Sequence, residues 1–114
     1  MFSEVFKYMW ETGFMFFSHV LELTKQIPKG RVSTYSDIAF ALGNPKAARA
    51  VGNALNKNPR PVIVPCHRVV RFDGCVGRYV GGVKMKVALL ESEGIAIIRG
   101  KVAGFEERRF KFEK

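Results

Sequence analysis

Cys66, His67 and Arg68 are adjacent in the run Pro65-Cys66-His67-Arg68-Val69. These residue types can do nucleophilic chemistry. A thiol reacts as its thiolate, so it needs a lowered pKa or a nearby base. An imidazole and a guanidinium beside it can both favour the thiolate. Neighbours in an extended segment point to opposite faces, so thiol–imidazole communication needs a turn or a bridging water. A third group must orient the histidine. Asp37, Asp73, Glu91 and Glu93 are the carboxylates considered for that task. Local residue types leave a second reading open, that of a buried, inert cysteine.

The second cysteine, Cys75, forms no CxxC pair with Cys66. Neither has metal-ligand spacing with His19 or His67, so neither a metal site nor a cofactor is expected. Two cysteines suit an intracellular thiol protein better than a disulfide-built secreted one. No apolar stretch is long enough to span a membrane. Glu4, Lys7 and Glu11 interrupt the apolar N-terminus, which does not read as a signal peptide. A cytoplasmic protein without membrane association is expected.

The 114 residues suit one compact domain, and 47% of them are hydrophobic, so a core can form. The formal net charge is +9, and it is not spread evenly. Residues 44–90 carry nine basic groups against the single acid Asp73, whereas residues 1–43 balance to zero. A solvated surface usually mixes signs. Segregation of this kind marks a nucleic-acid face.

Periodicity and turn chemistry then supply the elements that must position Cys66. Phe2, Phe6, Met9 and Trp10 fall at helical spacing before a break at Thr12-Gly13. A helix is expected over 16–26, with Phe17, Val20, Leu21 and Leu23 inward. Pro28 and Gly30 end it. Thr34 is placed to cap a helix over 35–42, with Asp37 three residues on. After Gly43, Asn44 is expected as N-cap and Pro45 as the first residue of a helix carrying 46–56. Two short helices joined by a Gly-containing turn describe a helix-turn-helix, whose second helix enters a DNA groove. Here that helix is rich in Ala and Gly and carries Lys46 and Arg49. Val62-Ile63-Val64 reads as a short buried strand. Asp73-Gly74 reads as a hairpin turn, with residues 75–79 returning to make a small wing. Gly81-Gly82 precedes a helix over 83–92, with Val83, Val87, Leu89 and Leu90 inward. Residues 95–98 and 105–112 are expected to be short strands or tail. The expected class is mainly α with a small β component, a winged helix-turn-helix-like single domain over 1–114.

The stretch from Ile27 to Gly94 resembles the active-site domain of the 6-O-alkylguanine-DNA alkyltransferases. The matching pieces are IPKGRVSTYSDIA, GNPKAARAVGNAL, NPRPVIVPCHRVV, DG-x-x-G-x-Y-x-GG and K-x-x-LL-x-x-EG, in the family's order and spacing. An apolar segment, 1–16, precedes the match, and residues 95–114 follow it. The resemblance implies direct, irreversible transfer of an alkyl group from guanine to Cys66 in double-stranded DNA, after base flipping. It implies that His67 acts through a water as base, that Glu93 holds the histidine, and that Asn58 orders the active-site turn. Tyr35 would sit near the rotated phosphate and donate a proton to the guanine. Arg49 would enter the base stack from a helix lying in the minor groove, with Lys46, Tyr35, Ala48, Gly52 and Arg68 also at the DNA. Tyr79, Val80 and the carbonyls of Val69 and Cys66 would form the guanine pocket.

The family commonly has a small or polar residue at the position of Val80, and serine or alanine at that of Cys75. Cys75 is therefore expected to be a wing residue, not a second acceptor. The separate N-terminal domain of most members is not matched. The protein is expected to act as a monomer. A second reading is an alkyltransferase-like sensor, which binds alkylated guanine without removing the alkyl group and recruits other repair proteins. Such proteins usually carry tryptophan where this chain has Cys66, which favours repair. A general basic helix-turn-helix binder is the third reading, and it leaves PCHRV and Glu93 without a purpose.

Overall fold

The structure, a computed structural model, describes residues 14–112. The expected stripe of Phe2, Phe6, Met9 and Trp10 lies outside them. Helix α1 (Phe14–Lys25) begins two residues earlier than expected. Its buried stripe is Phe16, Val20 and Thr24, four residues apart. Phe17, Leu21 and Leu23 flank this stripe, partly buried. The Thr24 hydroxyl survives burial because it donates to the Val20 carbonyl at 2.7 Å.

Strand β1 (Ser33–Thr34) runs directly into α2 (Tyr35–Ala41). Thr34 caps α2 as expected: its hydroxyl accepts from the Asp37 N–H at 2.9 Å. The expected cap at Asn44 is different. Its side chain makes no capping bond, and Pro45–Ala47 form a 3-10 turn before α3 (Ala48–Leu55) begins. The backbone explains the delay. The Asn44 N–H is held by the Ala39 carbonyl and the Asn44 carbonyl by the Ala47 N–H, each at 3.0 Å, which favours a tight i to i+3 turn.

The expected strand over 62–64 is absent. Val62 and Ile63 are 52% and 71% exposed, and only Val64 is buried. Pro59 and Pro61 lack ladder donors. The segment instead closes on itself, with the Val64 N–H bonded to the Arg60 carbonyl at 2.9 Å. The turn forces Val62 to a φ of +76°, a strained conformation for a β-branched residue.

Residues Cys66–Arg68 form one 3-10 turn, followed by β2 (Val69–Val70). Strand β2 lies parallel to β1, with Ser33 opposite Val69 and Thr34 opposite Val70. That pairing ties the segment carrying Cys66 to the one carrying Tyr35. The turn at Asp73-Gly74 forms as expected, but the return arm makes no ladder with β2. Cys75 instead bridges Lys101, and the Val76 N–H reaches the Gly100 carbonyl at 3.0 Å. The wing therefore includes the antiparallel pair β3 (Ile97–Ile98) and β4 (Lys101–Val102).

Helix α4 (Val83–Ser92) buries Lys86 and Leu90, while Val83, expected inward, is 48% exposed in its first turn. A short helix, α5 (Phe105–Arg108), stands where strands or tail were expected. The Arg108 side chain anchors it by donating to the Gly30 and Gly94 carbonyls. The chain then runs beside Val32, where Phe110 N–H meets the Val32 carbonyl at 2.7 Å. Arg109 clamps Asp37 of α2 with two bonds of 2.8 and 2.9 Å.

The architecture is mainly α with a small β component, as expected. One core cluster joins α1, α2 and α3 with Cys66, Val69 and Tyr79. A second joins Val32, Val70, Val76, Leu90, Ile95 and Val102. Cys66 and β2 thus lie at the seam between helices and wing. Among the described residues, no helix is long and apolar enough to cross a membrane.

Candidate functional site

The segment before Cys66 is held by Asn58. Its side-chain oxygen accepts from the Arg60 N–H at 2.9 Å, and its amide donates to the Val64 carbonyl at 2.9 Å. The same amide nitrogen lies 3.2 Å from Cys66 Sγ and donates to it. One buried side chain therefore folds the loop and touches the sulfur. Burial pushes the Cys66 thiol pKa up, while the Asn58 hydrogen bond and the Lys86 charge pull it down; the net direction is up. At neutral pH the resting group is a thiol, so chemistry requires a base.

His67 supplies one. The 3-10 turn buries the ring completely and brings its Nε2 within 3.0 Å of Glu93 Oε2. A carboxylate only accepts, so the Nε2–H must donate, which leaves Nδ1 with a bare lone pair. Nδ1 is buried and has no protein partner among the described residues. Burial, partly opposed by Glu93, lowers the His67 pKa, so the ring is neutral at pH 7 and able to take a proton. For Glu93, the bonds from Arg68 and His67 outweigh burial and hold its carboxyl below the usual range. Of the four carboxylates considered, Glu93 meets the histidine. Asp37 instead pairs with Arg109.

Arg68 is not placed with the DNA-facing set proposed from sequence. Its guanidinium turns inward, donating to both Glu93 oxygens at 2.9 and 2.7 Å and to the Ile27 carbonyl at 2.8 Å. The planar guanidinium fork engages both carboxylate oxygens and so fixes the glutamate that faces His67.

A residue to which sequence reading gave no role completes the cluster. Lys86 is fully buried, and its ammonium donates to the Val69 carbonyl at 2.7 Å and the Arg78 carbonyl at 2.9 Å. It also reaches the Tyr35 hydroxyl at 3.5 Å and sits 5.8 Å from the centre of that ring. Burial lowers its pKa to about 7, against an ordinary 10.5. The signal was present: Lys86 precedes buried Leu90 by four residues, on the core face of α4. Because Lys86 occupies the Val69 carbonyl and the Val69 N–H occupies that of Cys66, both expected guanine acceptors already hold an internal donor.

Tyr35 donates to the Arg78 carbonyl at 3.4 Å. Burial, then the nearby Cys66, raises its pKa, so the phenol stays protonated. A Cβ on Gly77 would stand 3.2 Å from that hydroxyl, and Gly77 has a φ of +76°; glycine lets the return arm of the wing close over Tyr35. The Tyr79 ring meets His67 edge-on, and its buried hydroxyl has no partner among the described residues.

These groups face a cavity of about 630 Å³, within the range of small-molecule sites. Cys66, Tyr35, Tyr79 and Val80 line it, together with Ala48, Arg49 and Gly52 of α3. Val69 and Lys46 are not among the lining residues. Lys46 and Arg49 are both exposed. Arg71 and Arg78 add positive charge to the walls. Cys75 is a free thiol in the wing, away from this lining. Among the described residues, no group of three or more His, Cys, Asp or Glu could hold a metal ion.

Residues 15–95 match the sequence profile of a family described as 6-O-methylguanine DNA methyltransferase, DNA binding domain. A methylated-DNA–protein-cysteine methyltransferase of Methanothermobacter thermautotrophicus is 46% identical over 78 residues, 68% of this chain and 43% of that protein. The curated relatives are longer, and the chain spans about a third to a half of their length. A crystal structure of Mycobacterium tuberculosis OGT in complex with DNA superposes with a TM-score of 0.70 at 45% identity, covering 72% of this chain and 50% of that one. S. pombe Atl1, solved with damaged DNA containing O6-carboxymethylguanine, gives a TM-score of 0.76 at 32% identity, covering 85% and 95%.

Proposed function

Because the chain belongs to the 6-O-methylguanine DNA methyltransferase family through its DNA-binding domain, we propose that it repairs double-stranded DNA by moving an alkyl group from the 6-oxygen of guanine to Cys66. The observation that carries this reading is the buried sulfur itself. It faces a cavity, accepts a hydrogen bond from Asn58, and adjoins a histidine whose inner nitrogen is bare.

Chemistry on a base inside a duplex requires the nucleotide to flip out. The basic segment draws the protein to phosphates, Arg49 fills the vacated stack, and the guanine enters between Tyr79 and Tyr35. His67 Nδ1 takes the thiol proton through a water, and Glu93 stabilises the imidazolium. The Asn58 amide and the Lys86 charge favour the thiolate, which attacks the alkyl carbon. A carbon–sulfur bond forms as the carbon–oxygen bond breaks, and that electron pair passes to the guanine. Tyr35 donates a proton to the leaving guanine, and Lys86, with its pKa near 7, can resupply it. The products are a thioether and guanine. The thioether is not returned to a thiol, so each molecule acts once, as a monomer.

The test is incubation with a duplex carrying labelled 6-O-methylguanine, followed by peptide mapping. The expected result is one label per protein on the Cys66 peptide, and none with Cys66→Ala, which still binds. Binding by the native chain without transfer overturns the repair reading. It would leave a sensor that recruits other repair proteins, a second reading favoured by the near-complete coverage of S. pombe Atl1.

A further inference from the structure

The cavity has a second wall that the reaction above does not use. Phe72 lines it, yet its side chain is 70% exposed. Single exposed apolar residues are ordinary on protein surfaces. This one differs in placement and in support.

The turn that presents it is tightly held. Arg71 N–H bonds to the Cys75 carbonyl at 2.8 Å, Gly74 N–H to the Arg71 carbonyl at 2.9 Å, and Cys75 N–H to Asp73 Oδ1 at 3.1 Å. From below, Val102 N–H bonds to the Gly74 carbonyl at 2.9 Å. A Cβ on Gly74 would meet the Phe105 ring at 3.2 Å, and Gly74 has a φ of +89°, so the turn is seated on α5 at a position that suits glycine. The phenyl group is therefore exposed on a braced support. Arg71 precedes it and Arg78 lines the same cavity, so the ring stands in a cationic setting. Arg49 enters that cavity from the helical wall and Phe72 from the wing wall.

An exposed aromatic ring among arginines, at the mouth of a cavity sized for a small molecule, fits an unstacked nucleobase better than an apolar protein surface. Base–aromatic stacking tolerates any sequence, because every base presents a π-face. We propose that Phe72 is a second stacking residue, lying against a base that flanks the extruded nucleotide while Arg49 occupies the gap it leaves. The inference rests on the DNA-repair reading. It assigns the wing a role in holding the opened duplex, beyond neutralising phosphate.

The experiment measures binding of the full chain to a duplex containing 6-O-methylguanine, for the native protein and for Phe72→Ala, Phe72→Leu and Phe72→Tyr. Thermal melting serves as the folding control; the exposed side chain should leave it unchanged. Phe72→Ala and Phe72→Leu are each expected to weaken binding about five- to hundredfold, the range for loss of one stacked base. Phe72→Tyr should bind like the native protein. Native-like binding by the Leu variant overturns the proposal, because apolar contact would then suffice. Native-like binding by the Ala variant overturns it as well. If the Ala variant binds DNA normally but loses self-association in sedimentation, the ring belongs to a protein interface and the proposal fails. If the native chain binds no DNA, the repair reading fails with it, and that outcome is distinct from the others.

Discussion

The Asn58 amide nitrogen donates to Cys66 Sγ across 3.2 Å while the same group holds the Val64 carbonyl. Loop geometry and thiol acidity therefore depend on one side chain. A hydrogen bond to a charged acceptor contributes about 1.5–3 kcal/mol, and here it favours the thiolate over the thiol. Asn58→Ala should therefore raise the thiol pKa further. The check is the pH dependence of Cys66 alkylation by a small electrophile, in a Cys75→Ser background so that one thiol reports. Asn58→Asp should raise it at least as far, because a carboxylate cannot donate and repels the thiolate.

Lys86 should give the fold a distinctive pH response. Its folded pKa is about 7, and an unfolded lysine keeps its proton to about 10.5. Between those values the unfolded chain binds more protons, so stability rises with pH. The slope is at most about 1.4 kcal/mol per pH unit. The window of pH 7 to 9 is the clean one, because the raised pKa values of Cys66, Tyr35 and Tyr79 act above it with the opposite sign. Urea midpoints for the native protein should climb across that window. Lys86→Met should abolish the climb, whatever its effect on absolute stability.

The His67–Glu93 pair predicts a separation of binding from chemistry. General-base catalysis contributes about 10²–10⁴-fold. His67→Gln should lower the single-turnover rate by that factor and leave affinity for alkylated DNA unchanged. Glu93→Ala should do more harm to the fold. It removes the acceptor of Arg68 and His67 together, and leaving the partly buried Arg68 charge unmatched costs part of the about 3–5 kcal/mol lost on breaking a fully buried pair. Calorimetry of the two variants distinguishes the outcomes.

Local chemistry made much of this arrangement legible in advance. Thr34 with Asp37 marked a helix start, and Gly81-Gly82 marked the approach to α4. The distance from Cys66 to Glu93 is 27 positions along the chain, so only resemblance, not spacing, could nominate that carboxylate. Composition misled at Val62-Ile63-Val64, because β-branched residues there are overruled by the two prolines and by the closure Asn58 imposes. Arg68 was misplaced for a related reason. The resemblance put it at the DNA with its basic neighbours, yet the Glu93 carboxylate and the Ile27 carbonyl hold its guanidinium instead. Lys86 was read only as part of the matching K-x-x-LL stretch and the basic segment; its place on the core face of α4 was legible, but not that the Val69 and Arg78 carbonyls converge on it.

The burial of Lys86 has one more consequence, for how the protein should respond to salt. Mobile ions largely screen interactions between exposed charges more than about 10 Å apart at 0.1 M and affect buried ones much less. Lys46 and Arg49 face solvent, whereas the Lys86 ammonium is sealed under the cavity. Raising ionic strength should therefore weaken the encounter with DNA while leaving the bound-state rate nearly constant. The molecule keeps two electrostatic systems in separate dielectric compartments, one tuned by its surroundings and one insulated from them.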